Sequence, residues 1–107
     1  MIDNREVWVS VIHVRPLPGS DVLGHGSAGA YASVVAIAPS ESRFREMILA
    51  EMEDNGLSVA EFEDVTTYGE GLEKELLTDE MRNLRTSLSM DFPVQYHEFH
   101  AYPTDDA

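Results

Sequence analysis

Four histidines, at positions 13, 25, 97 and 100, and three crowded carboxylates, Glu61, Glu63 and Asp64, are the side chains in this chain whose types and spacing could do chemistry. Imidazole titrates near neutrality and is both a proton carrier and a common metal ligand. His97-Glu98-Phe99-His100 sets two imidazoles three residues apart, a step that shares one face of a helix but falls on opposite faces of a strand. The surrounding residues read as a strand, Val94–Tyr102, so the pair cannot chelate one ion, and the spacing also lacks the helical H-E-x-x-H pattern. No metal site is expected. The chain has no cysteine, which excludes disulfides, thiolate ligands and cysteine nucleophiles.

Carboxylates held close together raise one another's pKa, the usual route to a general acid. Glu61 and Glu63 would share a strand face, with Asp64 beside them. The same acids on the margin of a sheet discourage edge-to-edge aggregation, and no nucleophile or base lies nearby in sequence. The edge reading is preferred, and no catalytic residue is assigned. Gly24-His25-Gly26-Ser27-Ala28-Gly29 matches the G-x-G-x-x-G pattern letter for letter. A dinucleotide site needs a strand before that loop and a helix after it. Here Pro16-Leu17-Pro18-Gly19 precedes it and a strand follows. It reads as a mobile hairpin connection, with Gly24, His25, Gly26, Ser27 and Gly29 the residues of any ligand loop. Ser27 is not a nucleophile elbow, because His25 stands where the first glycine should be. No cofactor is expected.

The elements that must position these groups are organised around residues 30–65. Ala30–Ala38 is short, apolar and β-branched toward its end, as a buried strand requires. Pro39 ends it, and Ser40 offers an N-cap to a helix over Glu41–Asn55 whose apolar face is Phe44, Met47, Ile48 and Met52. Asn55-Gly56 stops the helix, with glycine in the left-handed C′ position and Leu57 folding back toward Met52. A strand over Leu57–Val65 completes a βαβ outline, whose two strands should run parallel with a right-handed crossover. Ahead of it, Glu6–Leu17 is a strand with Val7, Val9 and Val11 on one face and Trp8, Ile12 and Val14 on the other, so it should be covered on both sides. After it, Tyr68-Gly69-Glu70-Gly71 reads as a turn, and Leu77, Met81, Leu84 and Leu88 mark a helical region within Leu72–Met90. Thr78-Asp79 could start that helix afresh after a short helical turn.

The order β-β-α-β-α-β predicts a single α+β domain over residues 1–107, with flexible ends at 1–5 and 103–107. The expected form is a two-layer sandwich, a mixed four-stranded sheet with two helices on one face, ferredoxin-like in architecture only. Two helices would leave the opposite sheet face bare, with Trp8, Tyr31, Tyr96 and Tyr102 among the strand aromatics. A homodimer through that open face is the expected cover.

Charge supplies the functional expectation. The net charge is −13, and between Glu51 and Glu80 eleven acids face one base, Lys74. Nucleic acid, whose phosphates need a basic surface, is excluded as a partner. A small acidic protein-binding module follows, an inhibitor or immunity-type protein for a basic partner, not expected to be an enzyme. Its docking residues would be Glu61, Glu63, Asp64, Glu73 and Glu75. The alternative is a homodimeric small-molecule-binding or small enzyme domain using the Gly-rich loop and the histidines. Acids on one exposed surface favour the first; acids pointing into a pocket with a histidine favour the second. The N-terminal residues lack a secretory pattern, and no apolar run is long enough to span a bilayer, so a cytoplasmic protein that does not enter membranes is expected.

Overall fold

The computed structural model describes residues 2–20, 23, 27–96 and 99–103. Strand β1 (Val7–Pro16) is the organising element, paired antiparallel to β2 (Ser27–Ile37) on one side and to β3 (Leu57–Thr67) on the other. Its apolar residues on both faces suit this interior position. Helix α1 (Glu41–Asp54) links β2 to β3, α2 (Tyr68–Glu73) and α3 (Asp79–Ser87) follow, and β4 (Val94–Tyr96) and β5 (His100–Pro103) both pair with β2. The sheet runs β3-β1-β2-β4 with β5 beside β2, and every ladder in it is antiparallel. The result is an open antiparallel α+β sheet.

Three expectations are corrected here. The mixed four-stranded sheet is an antiparallel one of five strands, because β1 lies between β2 and β3. Those two strands do point the same way, as a helical crossover demands, but they share no ladder. The last strand, expected over Val94–Tyr102, is two short pieces meeting different stretches of β2. The helices do not share a face. Trp8, Ile12 and Val14 of β1, with Ala32, Val34 and Ala36 of β2, pack on Phe44, Ile48 and Met52 of α1. Val7, Val9 and Val35 face the other way, onto Tyr68, Met81, Leu84 and Leu88. Continuous burial at Val34, Val35 and Ala36 means that both faces of β2 are covered along that stretch.

Local chemistry explains the helix ends. Ser40, in an extended conformation, accepts from the Arg43 N–H at 3.2 Å and caps α1. Gly56 stops that helix at φ 78°, a left-handed value that glycine adopts without a Cβ clash. Thr78 caps α3 by accepting from the Met81 N–H at 3.1 Å. The expected turn at Tyr68-Gly69-Glu70-Gly71 is α2 itself, capped by Thr67, whose hydroxyl accepts from the Glu70 N–H at 3.2 Å. Glycine 71 packs closely on the next segment: a Cβ would stand 2.6 Å from Leu77 Cδ2, so the leucine side chain would have to shift to admit one. Among the described residues no helix is long and apolar enough to cross a membrane.

Candidate functional site

Strand β3 forms one edge of the sheet, and the face it shares with Val9 and Val11 carries the acids. Cross-strand partners in an antiparallel ladder point to the same side. Glu61 lies opposite His13 and Glu63 opposite Val11, so both carboxylates sit on the α2/α3 side of the sheet. Between Val11 and Val9 the partner on β3 advances from Glu63 to Thr66, one residue more than regular pairing allows. This β-bulge turns Asp64 into the left-handed region at φ 51°. Asp64 therefore joins Glu61 and Glu63 on one side instead of alternating away, and it lines a cavity with Val9 and Val11. Glu61 and Asp64 are exposed.

The bulge is tied down from inside. Ser10 is fully buried on the central strand, and its hydroxyl donates to the Glu63 carbonyl at 2.8 Å. A buried hydroxyl needs such a partner, and the one it has fixes the backbone between Glu63 and Asp64. The bulge and the acids together also blunt an eleven-residue edge strand that would otherwise invite pairing with another chain.

Glu73 ends α2 and Glu75 follows the Lys74 C-cap; both are exposed. Glu75 also takes a left-handed conformation, at φ 56°. They belong to the chain that leads into Leu76, which lines the same cavity as Asp64. The fold thus brings Glu61, Glu63 and Asp64 to one side of the β3 edge, and Glu73 and Glu75 lie on the exposed connection that leads into Leu76. Lys74, the one base between Glu51 and Glu80, is paired first with Glu70 and also feels the charge of Glu73. Its Nζ donates to Glu70 Oε1 at 2.6 Å, and that hydrogen bond, with a second from Thr66, holds the Glu70 carboxyl below its ordinary range.

A second constellation crosses the sheet. Register places Glu61 of β3, His13 of β1, Tyr31 of β2 and His100 of β5 in one transverse row on this same face. The His13 and Tyr31 rings stack at 4.6 Å between centroids and 14° between planes. His100 Nε2 lies 4.0 Å from Oε2 of Glu80 in the first turn of α3, and the other Glu80 oxygen is shielded, with no hydrogen-bond partner among the described residues. Sequence reasoning missed this row. His13 is in phase with Val7, Val9 and Val11, but which residue of the next strand faces it depends on hairpin register, and the glycine-rich connection does not reveal that.

Of the predicted ligand loop, Gly24, His25 and Gly26 lie outside the described residues, as does His97 of the histidine pair. Ser27 and Gly29 are not in a loop at all: they open β2 and pair with β5, which extends that strand three residues earlier than expected. A strand after the glycines is the wrong element for a dinucleotide site. Among the described residues no group of three or more histidines and carboxylates could hold a metal ion. Comparison of the chain with protein-family models, curated proteins and solved structures finds no match.

Proposed function

We propose that this chain is a small acidic binding module, an inhibitor or immunity-type protein whose β3 edge docks a basic partner protein. The observation that carries the reading is the bulge at Asp64. A non-glycine residue held in the left-handed region costs backbone energy, and residues kept there cluster where a surface does something. Here the strained residue adds a third carboxylate to the side that carries Glu61 and Glu63, and on this reading Glu73 and Glu75 contribute to the same docking edge. Exposed like charges repel in the free protein, and a basic surface relieves that repulsion on docking. A decalysine peptide titrated into the isotope-labelled protein tests this. Amide shifts should concentrate at residues 61–66 and 73–76; shifts spread evenly over all acidic surfaces would refute a dedicated edge.

The transverse row favours a second reading, a homodimeric ligand-binding or small enzyme domain. Helix α3 covers the half of this face around Val9 and Val35, and the half around His13 and Tyr31 is where a second copy or a small ligand would sit, with Tyr31 41% exposed. A stable dimer should bury on the order of 1,200 Å² in total. Light scattering over a hundredfold dilution should then report twice the chain mass throughout. A monomer at every concentration removes the homodimer.

A further inference from the structure

The bulge builds a cavity as well as a charged strip. Its volume is about 220 Å³, below the roughly 300–1,000 Å³ of pockets that hold drug-sized ligands. It is of a size for one side chain. Val9 and Met81 are almost fully buried, Val11 is partly so, and Leu76 stands half exposed, giving apolar walls. The polar lining comes from Asp64, Thr66 and Thr78.

The hydrogen-bonding capacity of that lining is weighted toward acceptors. An ionised carboxylate only accepts. The Thr66 hydroxyl donates to Glu70 Oε2 at 3.2 Å, which leaves its lone pairs toward other donors. Thr78 already accepts from the Met81 N–H as the helix cap and keeps one lone pair and its own O–H. Asp64 has no ion pair among the described residues, and Lys74, the one base between Glu51 and Glu80, is paired with Glu70. An occupant must therefore bring an apolar stem and a compact cluster of donors.

We propose that the cavity receives a lysine side chain of the basic partner, its methylene stem along Val9, Val11 and Met81 and its ammonium against Asp64, Thr66 and Thr78. Lysine fits on both counts: the stem is slender and flexible, and its N–H donors meet the Asp64 carboxylate, the Thr66 lone pairs and the one lone pair left on Thr78. Its stem gains from burial while the charge is met by the carboxylate at the mouth. The proposal rests on the docking reading above and names the contact that would give that reading specificity.

The test uses the full-length, isotope-labelled protein and three small probes: the N-acetyl methylamides of lysine, norleucine and arginine. Saturable shifts at Val9, Val11, Thr66 and Met81 are expected with the lysine probe. At least tenfold weaker binding is expected with norleucine, which has the stem without the ammonium, and with arginine, whose planar head is a poor match. Asp64→Asn, which keeps a residue tolerant of the left-handed conformation, should erase the preference for lysine over norleucine. Thr66→Val should weaken the lysine probe several-fold and leave norleucine unchanged. Equal binding of lysine and norleucine, a stronger response to arginine, an Asp64→Asn variant that still prefers lysine, or shifts only elsewhere would each overturn the proposal. The two readings fail separately. If decalysine still shifts residues 61–66 while the lysine probe leaves Val9 and Met81 unmoved, the edge docks without this contact; if decalysine leaves β3 unmoved, the docking reading itself falls.

Discussion

Phe44→Ala should lower stability by about 3–5 kcal/mol, the cost of emptying a large aromatic site in a packed core. Phe44 is fully buried on α1 and touches aromatic rings from two strands. Its ring lies 6.4 Å from Trp8 of β1 in a stacked arrangement and 6.3 Å from Phe62 of β3 edge-on. Those partners are fixed in turn: the Trp8 indole N–H donates to the Ala38 carbonyl at 3.1 Å, and the Arg45 guanidinium sits 4.9 Å above the Phe62 ring. One side chain thus keys the helix to the edge strand that carries the acids. Against a total of roughly 5–15 kcal/mol, such a loss is large. If the alanine variant does not fold, Phe44→Leu should still do so, with a loss of about 1–1.5 kcal/mol. Chemical denaturation reads both, and a loss under about 1 kcal/mol for alanine would mean α1 is not keyed there.

Ser10→Ala should cost on the order of 1–3 kcal/mol, because it takes the donor from the Glu63 carbonyl while leaving that backbone in place. The expected consequence is local as well as global. Without the hydroxyl the bulge loses its anchor, and hydrogen exchange should accelerate at residues 61–66 more than on the β1–β2 ladder. A uniform increase over the sheet would mean that Ser10 contributes only packing. The variant tests how the acids are positioned without altering any acid.

What could be read from the residues was what is decided locally. Ser40 and Thr78 as caps, Gly56 as a stop, and the faces Phe44-Ile48-Met52 and Met81-Leu84-Leu88 follow from spacing within a few residues. The alternation of Val7, Val9 and Val11 against Trp8, Ile12 and Val14 was legible for the same reason. Features set by distant partners were not. The two apolar faces of β1 required cover, yet nothing local distinguishes a second copy from α3 as the source of it. Two glycines made residues 68–71 look like a turn, and the close packing of Gly71 on Leu77 is a tertiary contact that the local sequence does not reveal. The excess of acids between Glu51 and Glu80 was legible as composition, and the grouping of Glu61, Glu63 and Asp64 on one side of β3 belongs to the structure. That grouping was not legible, since a bulge built on aspartate without glycine leaves no mark, and the anchoring serine lies fifty-three residues away.

The central claim is that the five acids act together as a docking edge, and association kinetics test it most directly. Stopped-flow mixing with labelled decalysine across a salt series compares three proteins: the native chain, the variant E61Q/E63Q/D64N/E73Q/E75Q, and a control of equal net charge, E6Q/E41Q/E46Q/E53Q/D91N. Steering by a focused charge patch raises on-rates by roughly 10–10³-fold and is lost as salt screens it over about 8 Å at physiological strength. The native chain should associate fast at low salt with a steep decline as salt rises. The edge variant should be at least tenfold slower with a nearly flat salt dependence, while the control stays within about twofold of native. Equal rates and equal salt slopes in the two variants would contradict the account, and the acids of β3 would then matter only as part of the total charge.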